Sequence, residues 1–76
     1  MKNKENSALL KDFGDWIRSE RERKQLSQAE VAAQLGLHQT YYSKLELAGR
    51  NVDFTTAIEI CKVLGLDLSD FIKTHI

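Results

Sequence analysis

The chain has 76 residues, about the size of one small domain and too short for two. Hydrophobic residues make up 42% and charged residues 29%, the mixture of a globular domain in water, and apolar runs of only two or three residues exclude the ~20-residue apolar helix that a bilayer requires. The formal net charge is zero, with nine Lys or Arg against seven Asp or Glu in residues 1–50 and two against four in residues 51–76, so any anionic partner has to be met by a few placed cations rather than by an overall basic surface.

In chain order, the polar stretch MKNKEN, residues 1–6, reads as a flexible tail, and residues 7–76 as one domain. From Ser7 to Lys24 the apolar Leu10, Phe13 and Ile17 recur at helical spacing, with Leu9 and Trp16 beside them. Gly14 costs this helix roughly 1 kcal/mol relative to alanine, which predicts close packing against another helix. Ser27-Gln28-Ala29-Glu30 is a capping box, flanked by Leu26 and Val31 in the staple positions. A second helix therefore spans Gln28–Leu35 and ends on Gly36, suited to the left-handed residue after a helix. After a turn of about three residues a third helix runs from Gln39 to about Leu47, with Tyr42 and Leu45 inward and Tyr41 outward, since adjacent residues point about 100° apart. Asp53 caps a fourth helix, Phe54–Leu64, whose inner face carries Ala57, Ile58, Cys61 and Leu64, and Gly65 ends it. Asp67 caps a last helix, about Leu68 to Lys73, anchored by Phe71. The expected fold is all-α, five short helices with a helix-turn-helix formed by the second and third.

The segment LSQAEVAAQLGLHQTYYSKLE resembles the helix-turn-helix of the Cro and lambda-repressor (XRE-like) family, and the resemblance extends from Phe13 to Ile72. Its sharpest elements are Leu26-Ser27-Gln28, Ala32, Leu35-Gly36, Ser43-Lys44-Leu45-Glu46 and Leu64-Gly65-Leu66. The resemblance implies a compact lambda-repressor-like domain whose third helix enters the major groove of double-stranded DNA. It assigns base contacts to Gln39, Thr40, Ser43 and Lys44. Glutamine can pair bidentately with adenine, the threonine methyl can pack on thymine, and lysine can reach guanine or a phosphate. Backbone contacts fall to Gln28 at the start of the second helix, to His38, Arg50 and Asn51, and to Tyr41 and Arg18. Tyr41 can equally be an ordinary exposed aromatic. Arg21 and Glu46 match a structural ion pair that clips the first helix to the third. The sequence departs from the family pattern at Ala48, where glycine commonly follows the third helix, so that this helix can run one residue longer; at His38, in place of a Ser or Thr cap; and at Glu20, in a place often apolar, so that either the first helix is slightly rotated or the carboxylate finds an arginine.

These features predict a sequence-specific DNA-binding transcriptional regulator, acting as a homodimer on a pseudo-palindromic operator, because one recognition helix covers only about four or five base pairs. The expected subunit contact is around Leu66, Leu68, Phe71, Ile72 and Ile76, residues that would otherwise only close the core. Residues 36–41 and Arg50-Asn51 also look similar to small controller proteins of restriction–modification systems. The alternative is a protein-interaction module, such as an antitoxin, built on the same helix-turn-helix. No catalytic, metal or cofactor site is expected. Cys61 alone allows neither an internal disulfide nor a cysteine-rich zinc site, and His38 and His75 are far apart in the chain. The same single cysteine, without a signal-like apolar segment, gives the expectation of a cytoplasmic protein. No membrane partner and no small-molecule effector are implied.

Overall fold

The computed structural model describes residues 3–48 and 52–75. It contains α1 (Asn3–Arg23), α2 (Gln28–Leu35), α3 (Gln39–Ala48), α4 (Phe54–Leu64) and α5 (Leu68–His75), and no strand among the described residues. The fold is all-α, with α2 and α3 forming the helix-turn-helix. Four boundaries differ from the sequence expectation, among them the end of α1 at Arg23 rather than Lys24. Helix α1 begins at Asn3 rather than Ser7, taking in residues 3–6 of the stretch read as a tail. Helix α3 continues to Ala48, and α5 runs two residues beyond Lys73 to His75.

The start and stop signals act locally as expected. The Ser27 hydroxyl accepts from the Glu30 N–H at 3.0 Å, while the Glu30 carboxylate accepts from the Ser27 N–H at 2.7 Å. Asp53 accepts from the Thr56 N–H at 2.8 Å, and Asp67 from the Ser69 N–H at 3.0 Å. Helix α2 ends with Gly36 at φ 71°, where the Leu37 N–H reaches back to the Ala32 carbonyl at 2.9 Å and the Gly36 N–H to Ala33 at 3.1 Å, the paired bonds of a Schellman turn. The same turn ends α1, with a glutamine in the glycine's place. Gln25 sits at φ 59°, and Leu26 and Gln25 donate to the Arg21 and Glu22 carbonyls at 3.2 and 2.9 Å. A left-handed residue with a Cβ costs about 1–2 kcal/mol, which is why the sequence showed no stop signal there.

The core gathers Phe13 and Ile17 of α1, Val31 and Ala32 of α2, Tyr42 and Leu45 of α3, Ile60, Cys61 and Leu64 of α4, and Phe71 of α5. One expectation needs correction: α4 buries Ile60 completely and leaves Ile58 half-buried outside this cluster. Ala57, Ile60, Cys61 and Leu64 follow the three-and-four spacing of one helix face, whereas Ile58 is turned about 100° from Ala57. The Phe71 ring meets Phe13 edge-on at 5.4 Å and Trp16 at 5.3 Å, while His75 stacks on its other side at 4.2 Å. Burial pushes the Cys61 thiol pKa up, with Asp67 adding to it, as suits a packing residue rather than a nucleophile.

Helices α1 and α3 approach closely at Gly14. A Cβ on Gly14 would lie 2.6 Å from the backbone oxygens of both Leu45 and Glu46, so only glycine lets the two helices meet. This contact positions α3 on the domain.

Candidate nucleic-acid interface

Helix α3 is built with two functions on its two sides. Tyr42, Leu45 and Glu46 face inward, each at most 1% exposed. On the outer side Gln39, Thr40, Ser43 and Lys44 line one shallow open depression, joined by Leu47. The four residues assigned to base contacts thus share a single surface. Spacings of three and four residues bring Thr40, Ser43, Lys44 and Leu47 onto neighbouring turns of one stripe.

Beneath that surface lies a connected polar network. Arg21 grips Glu46 with both arms of its guanidinium, Nε to Oε2 at 2.7 Å and Nη2 to Oε1 at 3.0 Å, and its Nη1 donates to the Leu26 carbonyl at 2.7 Å. One side chain therefore ties α1, the turn after it and α3 together. Gln28 Nε2 donates to Glu46 Oε1 at 3.0 Å, and Ser43 Oγ donates to Gln28 Oε1 at 3.2 Å. Burial pushes the Glu46 carboxyl pKa up, but Arg21, with Tyr42 and Gln28 beside it, outweighs that and holds it below its ordinary value. Arg21 is shifted upward, chiefly by its hydrogen bond to Glu46, so the pair is ionised.

Gln28 accordingly differs from its sequence reading as a plain phosphate contact. Both ends of its amide engage the protein, leaving one amide N–H without a partner among the described residues. Ser43 has its hydroxyl proton committed to Gln28, so toward the groove it offers lone pairs.

Tyr42 is fully buried, as expected of the inward tyrosine, but its hydroxyl has no hydrogen-bonding partner among the described residues. The phenol pKa is pushed far up, first by burial and then by Glu46, toward which the hydroxyl lies without completing a hydrogen bond. Tyr41 is 45% exposed, on the outward side. His38 is exposed and supplies its carbonyl to the Tyr42 N–H at 3.0 Å, the main-chain bond that opens α3. Arg18 is exposed on α1 and pairs with Asp15 at 3.8 Å. Glu20 pairs with Arg23, one of the two outcomes expected for it. Arg50 and Asn51 lie outside the described residues.

The residues expected at a subunit contact separate by burial. Phe71 is 5% exposed and locked in the aromatic cluster, which makes it a core residue rather than a contact. Leu66 and Leu68 are half-buried against the same core. Ile72 is exposed, and Ile76 lies outside the described residues. Sequence reasoning passed over two exposed apolar side chains, Leu47 at 72% and Phe54 at 73%. Both stand at helix ends in the sequence, and the absence of a core partner at their spacing is the signal available.

Comparison with known proteins agrees with this architecture. A family model described as helix-turn-helix matches residues 17–71. Control protein C.MunI of Mycoplasma sp is 41% identical over 59 residues, covering 76% of this chain and 80% of the relative.

Proposed function

The chain belongs to the XRE-type helix-turn-helix family of DNA-binding transcriptional regulators, and from that premise we propose that it acts as a homodimer on a pseudo-palindromic operator. The observation that carries this reading is the division of α3: an outward depression lined by Gln39, Thr40, Ser43 and Lys44 above a buried Arg21–Glu46 pair that fixes the helix's orientation. A rigid helix with an orderly polar face is what base-edge readout requires. Gln39 is the candidate for adenine, Thr40 for thymine, and Lys44 for guanine or phosphate. Ser43, with its proton committed, is suited to accept from an adenine or cytosine amino group. The phosphates fall to the remaining Gln28 N–H, His38, Tyr41, Arg18, Arg50 and Asn51.

The dimer follows from the small reach of one recognition helix, and two half-sites about one helical turn apart answer it. Its contact is centred on exposed Ile72, with the edges of Leu66 and Leu68. The likeness to a control protein supports the controller subtype, with occupancy set by protein concentration.

Selection of bound DNA from a random pool, followed by salt titration of the enriched site, tests the proposal. The expected result is a two-fold-related site whose affinity falls steeply with salt. Failure to enrich any site at low salt overturns it. The antitoxin alternative forecasts instead co-purification with a small protein partner.

A further inference from the structure

Leu47 is apolar, 72% exposed and absent from the residues packed against the core. A solitary exposed leucine is ordinary on any protein. This one is distinguished by its place. It closes the same depression that Gln39, Thr40, Ser43 and Lys44 line, two helical turns beyond Thr40 and one beyond Ser43 and Lys44. The four polar residues can read hydrogen-bonding groups. The major groove also presents one feature that neither donates nor accepts, the 5-methyl group of thymine; Thr40 can meet it with its methyl group near the start of the stripe, and Leu47 is the one wholly apolar side chain at the far end.

We infer that Leu47 is a specificity-determining residue that reads a thymine methyl at the edge of each half-site; this rests on the operator-binding reading above. Leu47 lies about 12 Å along the helix axis from Gln39, so its thymine is separated from the base that Gln39 reads.

The test uses the operator recovered by selection, with each half-site thymine replaced singly by uracil, which lacks the methyl. Binding is measured for the wild-type protein and for Leu47→Ala, with thermal melting and sedimentation of both. At one thymine per half-site the wild type should lose about fourfold in affinity, the worth of one buried methyl group. Leu47→Ala should be indifferent to that replacement while responding to the others as the wild type does. Identical uracil profiles for the two proteins overturn the inference, as does an operator with no thymine at that edge. A uniform loss by Leu47→Ala on every DNA, or a change in its oligomeric state, also overturns it, assigning the side chain to the sugar–phosphate backbone or to a subunit contact. A wild-type protein that enriches no operator instead fails the reading on which the inference rests, and the inference with it.

Discussion

Without the Arg21 guanidinium, the Glu46 carboxylate would stay buried with the Gln28 amide as its remaining side-chain donor among the described residues. Removing one partner of such a pair leaves an uncompensated charge, and Arg21→Ala is expected to lower stability by about 3–5 kcal/mol in urea unfolding. Arg21→Lys should recover only part of it, because an ammonium cannot fork onto both carboxylate oxygens. The pair also sets an acid dependence. The Glu46 carboxyl lies below its ordinary 4.5, so its contribution is complete above pH 4.5 and is lost as pH falls through the folded-state value. Unfolding midpoints measured on acidification should show that loss in the wild type and a shallower one in Glu46→Gln. Tyr42→Phe removes a hydroxyl with no hydrogen-bonding partner among the described residues and should stabilise the domain by about 1–3 kcal/mol. A loss of stability instead would mean that the phenol bonds to Glu46. On the outer face, Gln39→Ala should relax base preference at roughly 1–3 kcal/mol, whereas Arg50→Ala should weaken all sites alike, both read by binding to single-base operator variants. Arg21 and Glu46 were legible as a pair through the family resemblance. Gln28 and Ser43, its further members, were not, because their bonds depend on where three separate helices come to rest.

At the scale of the helices, local chemistry was a sound guide. The capping box, Asp53, Asp67, Gly36 and Gly65 marked both ends of α2 and α4 and the start of α5 because each signal is satisfied within a few residues of chain. The end of α1 was missed by a single residue because Gln25 takes a conformation that glycine usually supplies. Gly14 illustrates propensity and packing in conflict. Gly14→Ala would gain roughly 1 kcal/mol of helix propensity, yet its methyl would enter the α3 backbone. Helices cannot yield as a flexible side chain does, so a net loss of about 1–3 kcal/mol or more is expected in thermal or urea unfolding. A stabilised variant would show that α1 and α3 have room to separate. The choice of Ile58 over Ile60 is the complementary error: both are apolar, and the face that α4 turns inward is chosen by its neighbours.

For the whole molecule, the proposed dimer places the demand on surface rather than core residues. Ile72→Glu, at an exposed position, should convert the sedimenting species from two chains to one with the far-ultraviolet helix signal unchanged, and should weaken operator binding by removing the linked second half-site. If Phe54→Glu has that effect and Ile72→Glu does not, the subunits meet on α4.

The order of helices, most of their boundaries and the family follow from the sequence by itself, since caps, glycine stops and apolar spacing are written within a turn or two of chain. Even the opposed directions of Tyr41 and Tyr42 follow, because 100° per residue permits nothing else. The tertiary structure alone decided what each side meets: that Tyr42 is buried without a hydrogen-bonding partner for its hydroxyl among the described residues, that Phe71 belongs to the core, that Gln28 joins α3 to the ion pair, and that Leu47 shares the outward face. Those outcomes depend on contacts between residues far apart in the chain, and periodicity carries no information about which helix will be opposite.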